Sequence, residues 1–567
     1  MAKTNSKKKS KKQAASETPK LSPKEEAALK RQAAKHRQEF ITYTSAVVGG
    51  SLFLGLMLFP VGGVKATVGV FAGLVAMCLS FKYYRQALWA FLIYVPFGGT
   101  VVYAVAGGNA LFQLAKDGFY IPAVVTLYQE CQRKRQPFLI PEKLKQPLIF
   151  LLVLCLLTLL VVNGAQQILP VCNPTLPRGT ACKKQNEQAI ILGLMGLKVL
   201  LGYLPLITCG YYQIRNKKEL LFLTRLHLVL AIICSALGFM QYFFLTSGRC
   251  VGTRGMSGEA LFKATLEARC LVGGALVFSP EVGMIRLPGT FVSPWHWAWF
   301  LIGNAFMTFA TAFSDPSPLW RMSGLIGMAG VFVNAVISGQ RIALALVPVV
   351  TIILLVLTGQ VANLKRFIPI ALGLGVLGAV AAAMFPAIIQ ERVQSFVDRW
   401  NASPPTDFIA AQAGSTSGRQ EGIFGAGLGR ATNSARTFGD VELIETYYPK
   451  MFHEIGPLGV LAFLGLVTTL TFVTFKAYRS VKEKNLRSFG ASFWVFVLVI
   501  SYNTYWYPLD TDPVCVYYWF FAGVILKLPE IDKQEREKLA AEEAKDPKNK
   551  KKQKLKSNKT ATTKKAA

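Results

Sequence analysis

Pro147-Leu-Ile-Phe-Leu-Leu-Val-Leu-Cys-Leu-Leu-Thr-Leu-Leu-Val-Val162 contains no charged residue, and its reading decides the fold class. A run of roughly 20 apolar residues is what crosses the hydrocarbon of a bilayer. In lipid, one isolated segment can satisfy its own backbone N–H and C=O groups only as a helix. The stretch is therefore predicted to be a membrane helix, and the composition makes it one of many. Of 567 residues, 52% are hydrophobic and 12% aromatic, and the mean hydropathy is +0.37. Similar runs predict about fourteen spans, beginning near Ile41, Val64, Gln86, Asn109, Pro147, Ala189, Arg225, Pro294, Leu319, Ile342, Phe367, Gly456, Phe489 and Val514. The expected fold is all-α and polytopic, a transmembrane domain over residues 41–528 between two basic tails, 1–40 and 529–567.

The formal net charge of +32 would suggest nucleic acid in a soluble protein. Much of it lies in the tails, however, where Lys7, Lys8, Lys9, Lys11 and Lys12 at one end answer Lys550, Lys551, Lys552, Lys554 and Lys556 at the other. No aromatic residue is interleaved with these lysines, so no nucleic-acid partner is expected. Segments this polar are predicted to stay unfolded in the cytoplasm and to lean on anionic membrane lipid. About forty polar residues precede the first apolar run, which is not the pattern of a cleavable signal peptide.

Basic clusters orient the spans, because they favour the cytoplasmic side. With the N-terminus inside, the clusters at Lys82 to Arg85, Arg133 to Arg135, Arg215 to Lys218, Lys365-Arg366 and Lys476 to Arg487 all fall in the cytoplasm together with the C-terminal tail. Both termini are thus expected inside a multi-pass plasma (inner) membrane protein. Lys65, Arg178 and Lys183-Lys184 depart from the rule. The same count sends the polar loops 166–188, 247–293 and 388–454, and the turn Ser338-Gly-Gln-Arg341, to the outer side. Cys172 with Cys182, and Cys250 with Cys270, share outer loops where an oxidising exterior permits disulfides. The four thiols are spaced too widely, with too few histidines, to suggest zinc, and no metal or cofactor is expected.

The outer stretch Ile388 to Glu454 concentrates the functional chemistry. It carries Arg392, Arg399, Arg419, Arg430 and Arg436, the run Gly422-Ile-Phe-Gly-Ala-Gly-Leu-Gly429, then Asp440, Glu442, Glu445 and His453. Arginines beside carboxylates suit an anionic substrate that must also be activated. The glycines make a poor nucleotide loop, since no strand precedes them. Arg341 sits in a four-residue turn between spans, where a charge is costly without water or a partner. Lys116 and Asp117 are adjacent opposite charges expected inside the fourth span, a structural pair or a broken helix facing the bundle, with an ion path as the functional alternative. They support an alternative reading as a polysaccharide-lipid flippase or secondary transporter, although no internal repeat of the kind common in transporters is visible.

The order Arg286-Leu-Pro-Gly-Thr-Phe291 with Pro294, Ser338-Gly-Gln-Arg341, Gly425-Ala-Gly-Leu-Gly429 and Glu454-Ile-Gly-Pro-Leu-Gly459 resembles the O-antigen ligase and Wzy-type polymerase superfamily. Earlier, Arg85-Gln-Ala-Leu-Trp-Ala-Phe-Leu-Ile-Tyr-Val-Pro-Phe-Gly98 and Leu114-Ala-Lys-Asp117 resemble more narrowly the HpsL-like hormogonium polysaccharide proteins of cyanobacteria. The resemblance implies a GT-C-like membrane glycosyltransferase that polymerises or ligates oligosaccharide from a polyprenyl (undecaprenyl) diphosphate donor in exopolysaccharide biosynthesis, alongside other assembly proteins. It implies that Arg286 and Arg341 grip the diphosphate; the loop residues Arg392, Arg399, Arg419, Arg430 and His453 are the further candidates for binding the anionic substrate. Ligases of the superfamily place a His-Asn pair about nine residues before the glutamate of the Glu-x-Gly turn. Here Glu445-Thr446 stands in that place, which leans towards a polymerase-like member with Glu445 as base and His453 as second choice.

Overall fold

The structure is a computed structural model that describes residues 23–108, 112, 115–169, 188–256, 261, 268–279, 284–360, 390, 393–394, 397–398, 400–418 and 422–545. The chain divides into two units, residues 1–82 and 83–567. The first is a helical hairpin of α1 (Pro23–Met57) and α2 (Phe59–Lys82). The Tyr43 hydroxyl donates to the Cys78 carbonyl at 3.0 Å, and Lys82 Nζ lies 4.0 Å from the Tyr43 ring centroid.

The second unit begins with α3 (Tyr84–Tyr94), α4 (Asp117–Arg133), α5 (Lys145–Leu157), α6 (Ala189–Leu201), α7 (Leu206–Gln213) and α8 (Lys217–Thr246). A two-stranded antiparallel hairpin follows, β1 (Val277–Ser279) against β2 (Met284–Arg286), with Val277 opposite Arg286. Then come α9 (Pro294–Ser314), α10 (Pro318–Ile337), α11 (Arg341–Leu357), α12 (Pro405–Gly418), α13 (Tyr447–Ser480), α14 (Lys484–Tyr502) and α15 (Val514–Lys545). Among the described residues, nine helical stretches are long and apolar enough to cross a membrane. The chain is an all-α, multi-pass membrane protein.

The span expected near Phe367 lies outside the described residues. The one expected near Asn109 starts instead at Asp117, because α3 breaks early. At Val95-Pro96 it tightens into a 3₁₀ turn, and it then widens into a π-helix over Val101–Val105. Proline removes a backbone donor and clashes with the preceding turn. Lys116 and Asp117 therefore stand at the start of a helix, with Asp117 buried there, and not in the middle of a span.

Two further differences concern the tails. α1 starts at Pro23 and α15 runs on to Lys545, so parts of both basic tails are helical. Glu25-Glu-Ala-Ala-Leu-Lys-Arg-Gln-Ala-Ala34 and Lys538-Leu-Ala-Ala-Glu-Glu-Ala-Lys545 consist of strong helix formers. Each adjoins an apolar helix that supplies the costly nucleus, so propagation needs little more.

The core centres on α9. It is buried on nearly every side, with Trp297, Trp299, Phe300, Phe306 and Phe309 fully enclosed. A helix surrounded by protein can carry polar residues that lipid would reject, provided their hydrogen bonds are met. In α9, Thr308 and Thr311 donate back to the carbonyls of Asn304 and Met307 at 2.7 and 3.0 Å. At the far end of the helix, Arg225 of α8 grips the wholly buried Asp315 through two bonds of 2.8 and 2.9 Å.

Candidate functional site

Arg286 and Arg341 arise far apart in sequence, and backbone contacts bring them together. Leu287 N, just after β2, donates to Ser338 O at 3.0 Å. Gly339 adopts φ +67°, and a Cβ there would fall 1.8 Å from the Ile285 carbonyl oxygen. The turn thus presses directly on the strand that bears Arg286 and starts α11 at Arg341. Only glycine fits such an approach in a left-handed conformation. Gly339→Ala is expected to destabilise the fold by about 1–3 kcal/mol, read as a lower unfolding temperature of the purified protein.

The loop behind β2 is fixed from below. Cys250 and Cys270 form a disulfide with Cα atoms 5.5 Å apart. The Gln241 amide of α8 donates to the carbonyls of Cys270 and Val272 at 2.9 and 3.0 Å, while its carbonyl accepts from Gly289 N at 3.0 Å. One buried glutamine thus ties both ends of the segment that delivers Arg286. Cys172 and Cys182 lie outside the described residues.

Glu445 completes the group. It lies within electrostatic reach of both guanidinium groups. Burial lowers the pKa of Arg286 and the like charge of Arg341 lowers it further, with Glu445 opposing them. Burial raises the Glu445 carboxyl above its ordinary value, against the pull of both arginines. Desolvation penalises the charged forms of Arg286 and Glu445 alike. α12 and the turn before it reach this group, since Arg341 Nη1 donates to Ser403 O at 3.4 Å and Glu445 N donates to the Gln412 side chain of α12 at 3.2 Å.

The loop between α14 and α15, residues 503–513, threads the same region. Tyr447 N donates to Thr504 O at 2.6 Å and Trp506 N to Glu445 O at 3.1 Å, around a bridge between Thr446 and Tyr505. Further along, Asp510 pairs with Lys450 of α13 and Asp512 with Lys116, while Asp117 pairs with Lys198 of α6. Lys116 therefore pairs with the 503–513 loop and Asp117 with α6, not with each other. Lys450 and Asp510 are nearly enclosed, with side chains 5% and 11% exposed. Removing one member of a buried pair strands the other charge, so Lys450→Ala should cost about 3–5 kcal/mol. Thermal unfolding of the variant checks this.

The glycine run is a wedge between helices. Gly456, inside α13, has φ +68°, and a Cβ there would lie 1.9 Å from Ile423 O. Ala426 N donates to His453 O at 2.7 Å. Asn163 brackets Leu428 by accepting from its N–H at 2.9 Å and donating to its carbonyl at 3.0 Å. Gln166 donates to Ala426 O at 2.7 Å. Glu454 is buried and accepts from Ala431 N and the Thr432 hydroxyl, each at 2.8 Å. These bonds give the Glu454-Ile-Gly-Pro motif a docking role.

Arg430 leaves this wedge to donate to the Gln166 side chain at 2.8 and 3.1 Å and to Asp440 O at 3.2 Å. It lines an open depression of about 440 Å³ with Asp440, Val441, Glu442 and His453. His453 Nε2 stands 3.6 Å from Glu442. Arg436 is exposed and donates to Asn433. Arg392, Arg399 and Arg419 lie outside the described residues.

The structure thus brings together Arg286, Arg341 and Glu445, and separately Arg430, Glu442 and His453. Sequence reasoning passed over Asn163, Gln166, Gln241 and the whole 503–513 loop. The first three carried a signal, since amides within apolar helices are expensive in lipid and must have partners. No family model and no curated protein matches this sequence.

Proposed function

We propose that this chain is a membrane glycosyltransferase that polymerises or ligates oligosaccharide carried on a polyprenyl diphosphate, without a bound metal. The observation that carries the reading is the convergence of Arg286, Arg341 and Glu445 from three separate parts of the chain. A diphosphate leaving group needs fixed positive charge where its bridging oxygen departs, and arginine offers this through a planar fork. In the reaction, the bond from sugar C1 to the diphosphate oxygen breaks and its electron pair stays on the diphosphate. The acceptor hydroxyl oxygen forms the new bond to C1. Its proton passes to the Glu445 carboxylate and then to water. A glutamate whose pKa is raised by burial suits such a base, because it is a stronger proton acceptor than a solvated one.

The reading includes a GT-C-like arrangement of about fourteen spans with the site on the outer face and both tails in the cytoplasm. A cysteine at the exposed Ser415, in a background lacking Cys172, Cys182, Cys250 and Cys270, should react with an impermeant thiol reagent in intact cells. Labelling only after lysis would reverse the map. The functional test is loss of the protein. Lipid-linked repeat units should accumulate in the outer leaflet, whereas accumulation in the inner leaflet would favour the flippase alternative. The ion pairing of Lys116 to the 503–513 loop and of Asp117 to α6 suits a structural role better than an ion path.

A further inference from the structure

Tyr505 and Trp506 occupy the loop that runs past the arginine pair. Tyr505 lies within electrostatic reach of Arg286. Its ring meets Phe408 of α12 edge-on at 5.9 Å between centroids, and meets Trp506 at 5.9 Å. All three aromatic residues are half-buried. The helix that supplies Phe408 accepts from Glu445 N through Gln412, and Ser403, just before that helix, accepts from Arg341.

Aromatic residues at the end of a membrane bundle commonly serve as interfacial anchors. That role requires no backbone strain, yet Trp506 has φ +59° and Tyr507 φ +24°. For bulky residues this conformation is unfavourable and persists only where neighbours over-determine it. Here they do. Trp299 of α9 donates its indole N–H to Trp506 O at 3.2 Å, Trp506 N donates to Glu445 O, and the Asn503 amide donates to Tyr505 O at 2.6 Å. The strain is spent on holding Tyr505 and Trp506 at the arginine and carboxylate group.

Resting on the glycosyltransferase reading, we propose that Phe408, Tyr505 and Trp506 form a stacking subsite for the sugar ring attached to the diphosphate. One face of a pyranose presents mainly C–H bonds, whose positive edge matches the negative face of an aromatic ring. The lipid diphosphate reaches the two arginines while the first sugar lies on the aromatic group. C1 is then held beside Glu445. The subsite recognises the sugar ring and the arginines recognise the anion, so the two contributions separate by experiment.

The probes are undecaprenyl diphosphate bearing one N-acetylglucosamine and undecaprenyl diphosphate alone, each titrated into the detergent-solubilised full chain. The parent should bind the sugar-bearing lipid about tenfold more tightly than the bare lipid, the equivalent of one good aromatic contact. Tyr505→Ala and Trp506→Ala should abolish that preference and leave the affinity for the bare lipid unchanged. Trp506→Phe keeps an aromatic face and should restore most of the preference, which a merely misfolded loop would not allow. If the parent binds both lipids equally, or the alanine variants keep the preference, the subsite is wrong and the arginine site stands. If the parent binds neither lipid, the glycosyltransferase reading falls with it.

Discussion

Arg341→Lys is expected to lower turnover by roughly 10² to 10³ although the formal charge is kept, the loss seen when one oriented donor is removed from a charge-stabilising site. Lysine is a compact point charge without the planar fork, so it cannot bond two phosphate oxygens at once. Arg341 is also the first residue of α11 and sits on a turn pressed against Ile285. Its Cα position is therefore fixed, and a lysine has no freedom to move closer. Arg286→Lys should behave alike, since the two guanidinium groups lie within electrostatic reach of each other. The double variant should lose little more than either single one, because residues acting as a unit are not additive. Polymer formed per unit of expressed protein measures the effect. Normal polymer from both single variants would remove the arginines from the mechanism.

Glu445→Gln should lower turnover by roughly 10² to 10⁴, the usual worth of a general base, and leave donor binding nearly intact. The pH profile makes the assignment specific. Burial holds the carboxyl above the ordinary glutamate value of 4.5, and only the deprotonated form accepts a proton. The rate should therefore rise with pH through a limb displaced above 4.5, and the limb should vanish in Glu445→Gln. Linkage runs the other way for stability. A raised folded-state pKa means that the native form binds the proton more tightly than the unfolded chain does. Stability from this group is greatest below the unfolded value and falls as pH rises through the folded one. The ionised state needed for chemistry is thus the less stable one. If Glu445→Gln is silent while the arginine variants are impaired, the base is His453, Glu442 or Asp440 in the neighbouring depression.

The helices were legible because lipid leaves few alternatives, and apolar runs such as Pro147–Val162 announce themselves without reference to neighbours. Their ends were less so. The break at Val95-Pro96 moved the expected fourth helix to Asp117, and the Ala, Glu, Lys and Arg content of both tails continued α1 and α15 into segments that looked too polar to fold. The site was half legible. Arg341 asked for a reason as a charge in a four-residue turn between spans, while Arg286 and the role of Glu445 were chosen only through the resemblance. What joins them could not be read, because it consists of backbone contacts between distant segments: Leu287 on Ser338, Gly339 on Ile285, Trp506 on Glu445. The glycine run shows the opposite failure. Gly425 to Gly429 looked like part of a functional loop, yet Gly425 packs against α13 and Gly429 against α6 at distances no side chain permits.

Direct binding of a polyprenyl diphosphate to the purified protein tests the central claim most sharply, because it needs neither acceptor nor turnover. A short-chain polyprenyl diphosphate should bind the parent more tightly than the matching monophosphate. The Arg286→Lys, Arg341→Lys double variant, folded by the criterion of its unfolding temperature, should lose that preference. Equal affinity of parent and double variant for the diphosphate would contradict the account, since Arg286 and Arg341 would then meet beside Glu445 for some purpose other than holding a diphosphate.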